Sequence, residues 1–147
     1  MEYRRDNSAV YVRFDKGDEI LSGILQVCQH EKILSATYSG IGACKTAVVA
    51  TYIPEKDDFV PHEKHGMLEL LSLTGNISAD EHGEIFEHTH AVFSFLEGEE
   101  VSLFGGHLKK TVVLYTAEIC IRPASFVIGR KIDSATGITV WDLQKPL

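Results

Sequence analysis

The chain has 147 residues, a length that suits one domain and is short for two. Its hydrophobic content of 44% and charged content of 24% are typical of a globular protein and exclude an intrinsically disordered chain. The formal net charge of −7 argues against autonomous binding to duplex DNA, because such binding needs a basic face that displaces counterions.

The sequence also bears on the cellular compartment. No apolar run approaches the roughly 20 residues that a membrane helix requires. The polar start Met1–Asp6 lacks a signal-peptide core, and the three cysteines form no C-x-x-C pair. We therefore expect a soluble cytoplasmic protein with no membrane partner.

The first elements predicted along the chain are a strand from Ala9 to Phe14 and a helix that ends near His30. Apolar and polar side chains alternate in the strand, whereas apolar side chains follow one face of the helix. Asp15 is the predicted cap, and Asp18-Glu19 would place negative charge in the first turn, where the helix dipole favours it. No later segment predicts a helix as strongly.

The segments after the helix favour strands, because they are rich in Val, Ile, Thr and Tyr. The first two run over Ile33–Ile41 and Ala43–Ile53, and the glycines between them indicate a bend or a bulge. Pro54–Asp58 would close a hairpin. Later strands are predicted over Met67–Ser78 (broken by Gly75-Asn76), Glu84–Leu96, a short segment ending at Phe104 before a Gly105-Gly106 turn, Thr111–Arg122, and weaker ones in Phe126–Val140.

Together these elements predict an α+β fold, with an antiparallel or mixed sheet and one main helix packed on it. The pattern shows no repeat, linker or low-complexity segment, so we expect a single domain over residues 1–147.

Two histidines share one face of the strand predicted over Glu84–Leu96. Side chains alternate between the faces of a strand, so His88 and His90 project to the same side. The rest of that face is largely apolar, which disfavours two polar rings without a partner. Both imidazoles could reach one ion at about 2.0–2.1 Å.

A third histidine, His107, follows Gly105-Gly106, where the backbone can turn tightly. If this segment folds back beside His90, three imidazoles converge. Three neutral nitrogens with an open fourth position are a ligand set of catalytic zinc, and they also suit nickel, copper or iron. The sequence therefore predicts a divalent-metal site at His88, His90 and His107, with zinc as the preferred ion. The alternative is three separate surface histidines.

Glu69 is the candidate acid or base. It shares a predicted strand face with Met67, Leu71 and Leu73, so it could point inward and orient an imidazole, bind the metal or move a proton. A carboxylate at a sheet edge explains it equally well. Two functions stay open: a non-catalytic metal-binding module, which we favour, and a small metal-dependent enzyme that uses Glu69.

No motif for a nucleotide cofactor or a serine hydrolase occurs in the sequence. The distinctive stretches are instead Gly40–Ala43, Gly66–Ile77, His88–His90 and Gly105–Leu108. Taken together, they resemble the plants-and-prokaryotes-conserved (PPC) domain, which in plants accompanies AT-hook DNA-binding motifs. The resemblance extends from about Ala9 to Arg122.

This resemblance implies an α/β domain with an antiparallel sheet, assembled as a homotrimer. It places the family's histidine cluster at His88, His90 and His107 and its strand glutamate at Glu69. Bacterial and archaeal members are commonly named as candidate DNA-binding proteins, which implies an association with DNA or transcription.

The resemblance also implies a protein partner in transcription, because in plant members the stretch matching Gly66–Leu71 is implicated in such contacts. This chain departs from the plant pattern, with Met67 in place of a basic residue and Leu68 in place of an aromatic one. It also contains no Arg-Gly-Arg-Pro core of an AT hook.

Overall fold

The computed structural model describes residues 1–56 and 58–144. These residues form eight strands and one α-helix, and a 3-10 turn at Pro54–Lys56 separates the third strand from the fourth. In chain order the elements are β1 (Glu2–Arg5), β2 (Val10–Asp15), α1 (Ile20–His30), β3 (Ala36–Ile53), β4 (Asp58–Ala79), β5 (Ile85–Glu97), β6 (Glu100–Pro123), β7 (Gly129–Ile132) and β8 (Thr139–Asp142).

Six strands form one antiparallel sheet in the order β1-β2-β6-β3-β4-β5, and β5 also pairs with β6. The strands β3, β4, β5 and β6 therefore form a closed circuit around part of the core. β7 and β8 form a separate hairpin. The expectation of a mainly antiparallel sheet with one main helix is confirmed.

Helix α1 covers the sheet with one apolar face. Ile20, Ile24 and Val27 are buried on this face, and Gly23 lies against the ring of Phe14, where no Cβ would fit. The prediction of Asp15 as the cap was wrong. The cap is Glu19, whose carboxylate accepts hydrogen bonds from the first-turn amides and from the Thr111 amide at 3.1 Å, so it also joins the helix to β6.

Two predicted interruptions are absent from the sheet. β4 continues through Gly75-Asn76, because Gly75 leaves room for the buried ring of Tyr38. β6 continues through Gly105-Gly106, where the strand exchanges β5 for β3 as its neighbour. Gly106 has a φ of +152°, a conformation that suits glycine at this change of partner. The bulge predicted beside Gly40 and Gly42 is confirmed by a register shift.

The one α-helix in the described parts of the chain has 11 residues, and none there is long and apolar enough to cross a membrane.

Candidate metal centre

Strand β5 has a buried face and an open face. Thr89, Ala91 and Phe93 are buried, whereas His88 and His90 point outward, as the alternation predicts. The apolar side chains on the histidine face, Phe86, Val92 and Leu96, are exposed rather than packed in the core. The two imidazoles are therefore open to solvent.

The third histidine reaches the site from a strand instead of a turn. His107 on β6 pairs with His90 on β5 and also with Ala50 on β3. It therefore lies where β6 changes neighbours. The three imidazole centroids are 5.1–5.4 Å apart, and the predicted convergence of His88, His90 and His107 is observed.

The ligand atoms of the three histidines all lie within 4.8 Å of one another. Tetrahedral zinc with bonds of about 2.0–2.1 Å holds its ligand nitrogens about 3.3–3.4 Å apart. An ion at this site would therefore need the rings to bring their nitrogens closer by up to about 1.5 Å. His88 and His90 are exposed and His107 is half-buried, so one side of the site is open for a further ligand.

Electrostatics at the cluster favour the neutral imidazole, which is the form that binds a metal. Burial lowers the pKa of His107 to about 4, with smaller effects from the positive charge of Lys109 and from the neighbouring histidines. Burial also lowers the pKa of His88, and His90, Arg130 and Lys109 act in the same direction.

Glu69 lies away from this cluster. It pairs with Ser94, which is four residues or about 13 Å along β5 from His90. Its side chain is exposed rather than inward-facing. A register shift between Leu70 and Ser72 reverses the alternation in β4, so Glu69 does not share a face with Leu73.

Aromatic and basic side chains border the histidines. The Phe59 ring is 5.4 Å from His107, and the Lys109 ammonium is 5.4 Å from the centroid of Phe59. On the other side, the Arg130 guanidinium lies 5.5 Å from the ring of Phe86. The sequence carries no local signal that distant strands bring Lys109 and Arg130 to one place, so sequence analysis does not find them.

Polar side chains also lie on the buried face of β5, where they bond to one another. Thr89 donates a hydrogen bond to Glu87 at 2.6 Å, and its hydroxyl also bonds to that of Tyr38. Burial raises the pKa of the Glu87 carboxyl. This chain of hydrogen bonds satisfies polar atoms on the face of β5 opposite the histidines.

The fold and the cluster define a class, namely small antiparallel α+β domains with an open group of three histidines on the sheet. Residues 1–125 match the Plants and Prokaryotes Conserved (PCC) domain, also abbreviated PPC. The chain belongs to this family, as the resemblance predicted. The β7–β8 hairpin lies beyond the matched region. No curated protein shows a significant match.

Solved structures agree with this assignment. A PPC protein from Pyrococcus horikoshii is 32% identical, with 98% of this chain and 95% of that chain covered and a TM-score of 0.78. A metal-containing protein from Archaeoglobus fulgidus is 29% identical over 95% and 96% of the two chains, with a TM-score of 0.77. A candidate DNA-binding protein from Bacteroides thetaiotaomicron has a TM-score of 0.88 over 98% of each chain, but at 22% identity it shows the fold alone.

Proposed function

We propose that this protein is a metal-binding PPC domain in which His88, His90 and His107 hold one divalent ion. The observation that carries the proposal is the convergence of three imidazoles, from two strands, with ligand atoms within 4.8 Å. The metal-containing relative from Archaeoglobus supports it. Zinc is the preferred ion, because it favours neutral imidazoles and a four-coordinate shell, although nickel, copper or iron would accept the same nitrogens.

Metal binding should persist somewhat below pH 6.5, where free imidazoles begin to protonate. The reason is that burial lowers the pKa of both His88 and His107, so protons compete with the metal only in more acidic solution.

The direct test is elemental analysis after incubation with zinc and removal of free metal. We expect one zinc per chain in the parent protein and none in His90→Ala, while circular dichroism shows an intact fold because His90 is exposed. His65→Ala is the matched control, since this histidine is also exposed but lies outside the cluster. Absence of zinc from the parent, or full occupancy in His90→Ala, would overturn the proposal.

A module fits the site better than an enzyme with Glu69 as its acid or base. Glu69 is about 13 Å along the sheet from His90, so within one chain it does not reach an ion held by the histidines. The enzyme alternative therefore has an open metal site but no acid or base assigned to it.

We further propose that the module is a homotrimer. Six exposed apolar side chains lie where the middle of β4 adjoins the end of β5 and the start of β6, namely Met67, Leu71, Val92, Leu96, Val101 and Leu103. An apolar surface of this kind is typical of an interface, and we assign it to further copies of the chain. It includes part of the stretch Gly66–Leu71, which in plant relatives is implicated in partner contacts.

Light scattering tests the assembly. We expect three times the 16.3 kDa of one chain, and a smaller mass for Leu103→Asp, because this side chain is 68% exposed in one chain and would be buried against a neighbour. A mass of one chain for the parent at micromolar concentrations would contradict the trimer.

The name of the Bacteroides protein raises the question of DNA. We propose that this chain does not bind duplex DNA by itself, because its net charge of −7 repels phosphate. An association with transcription would then depend on a protein partner. A cytoplasmic location is part of the same proposal, supported by three cysteines that are all free thiols.

A further inference from the structure

The open side of the histidine cluster faces two basic side chains from different parts of the fold. We infer that this side binds a small carboxylate ligand between Lys109 and Arg130, with its carboxylate at the metal and its apolar part against Phe59 and Phe86. The inference rests on the proposed metal site and adds the class of ligand that the site accepts.

A β-bulge aims Lys109 toward the site. Val49 pairs with Leu108 and Val48 with Lys110, so Lys109 is the extra residue in β6. Bulges redirect a side chain locally, and here Lys109 and Lys110 are both exposed, one after the other. The Lys109 ammonium lies over Phe59, whose ring contacts His107.

The β7–β8 hairpin brings Arg130 to the other side. Its guanidinium donates a hydrogen bond to Ser78 at 2.9 Å and lies over Phe86, two residues before His88 on the same strand face. Trp141, which pairs with Arg130 across the hairpin, donates to the Asn76 side chain at 3.1 Å. Asn76 is the β4 residue opposite His88, so the hairpin is attached beside the cluster.

The two cations lack an acidic partner that would neutralise them. Within residues 1–56 and 58–144, neither Lys109 nor Arg130 has a carboxylate within 4.0 Å. Both positive charges act to lower the pKa of the Glu87 carboxyl. That carboxylate, however, accepts a hydrogen bond from Thr89 on the buried side of β5. A divalent ion beside them would add positive charge, which favours binding of an anion.

The chemistry of the surroundings selects a carboxylate. A guanidinium binds the two oxygens of a carboxylate well, and oxygen is an acceptable fourth ligand for zinc. The rings of Phe59 and Phe86 are 44% and 38% exposed, so they offer apolar surface to the carbon part of an organic anion. Inorganic phosphate has no such part.

The test uses the cobalt-loaded protein, because the visible spectrum of cobalt reports a change in its ligands. Propionate, inorganic phosphate and neutral propionamide are titrated separately. We expect propionate to shift the spectrum saturably and to bind more tightly than phosphate, and propionamide to have no effect. Tighter binding of phosphate, or equal binding of propionamide, would overturn the carboxylate assignment.

The matched variants are Lys109→Gln and Arg130→Gln, with Lys110→Gln and Lys131→Gln as neighbours that lose the same charge. The first two should bind propionate about tenfold more weakly with unchanged cobalt stoichiometry, and the controls should behave as the parent. Equal propionate affinity in all five proteins would refute the inference while the metal site stands. Failure of the parent to bind cobalt would instead refute the proposed function.

Discussion

The two faces of β5 use polar side chains in opposite ways. On the buried face, Glu87, Thr89 and Tyr38 form a continuous chain of hydrogen bonds. On the open face, His88 and His90 lie beside His107 with their ligand atoms within 4.8 Å of one another, and no hydrogen bond links their rings in the described part of the chain.

The difference separates a structural polar group from a candidate site. Buried polar atoms must be paired inside the protein, since an unpaired one costs about 1–3 kcal/mol. The imidazoles of His88 and His90 are exposed and bear no such cost, so their convergence with the half-buried His107 is better explained by a ligand than by stability. Changes to the buried face should therefore act on folding, and changes to the open face on binding.

The largest expected difference comes from residues on opposite faces of β5. Phe93 is fully buried, so Phe93→Ala should lower the free energy of unfolding by about 3–5 kcal/mol. His90 lies on the opposite, open face, is exposed and is outside the proposed interface, so His90→Ala in the metal-free protein should cost less than about 1 kcal/mol. Urea denaturation measures both values. Similar losses would show that the open face is packed as tightly as the core.

A smaller effect is expected within the buried hydrogen bonds. Thr89→Val removes the hydroxyl that joins Glu87 to Tyr38, so both residues lose a hydrogen-bond partner. We expect the free energy of unfolding to fall by about 1–3 kcal/mol. Tyr38→Phe should cost less, because Thr89 still donates to Glu87. The same urea experiment compares the two variants, and a larger loss for Tyr38→Phe would contradict this order.

The smallest effect is a difference in pH dependence, measured on the metal-free protein. Burial raises the pKa of Glu87, so its contribution to stability is present below pH 4.5 and is lost as the pH rises through the folded-state pKa. Burial lowers the pKa of His107, so its contribution is present above pH 6.5 and is lost as the pH falls toward about 4.

Glu87→Gln separates these two effects. The free energy of unfolding of this variant should be higher by up to about 1 kcal/mol at pH 7. The reason is that an uncharged amide replaces a half-buried carboxylate and still accepts the hydrogen bond from Thr89. Its loss of stability between pH 6.5 and about 4 should remain, since His107 is unchanged. Thermal unfolding across this pH range checks both, and a variant less stable at pH 7 would contradict the first.

Several features of the fold and site could be predicted from the sequence because they depend on local patterns. Alternation in β5 placed His88 and His90 on one face, and apolar periodicity located α1. The continuity of β6 through Gly105-Gly106 could not be predicted in this way. Two glycines are typical of a turn, and only the exchange of neighbouring strands shows why they are needed within a strand.

The sequence by itself determined the family, the mainly antiparallel sheet with its helix, and the residues of the histidine cluster, because each follows from short-range spacing or from recognisable motifs. The tertiary structure decided the position of Glu69, where a register shift changes the face on which side chains lie. It also decided that Lys109 and Arg130 flank the cluster, because a bulge and a distant hairpin bring them there. Such contacts depend on strand register and partner choice, which no local pattern of residues specifies.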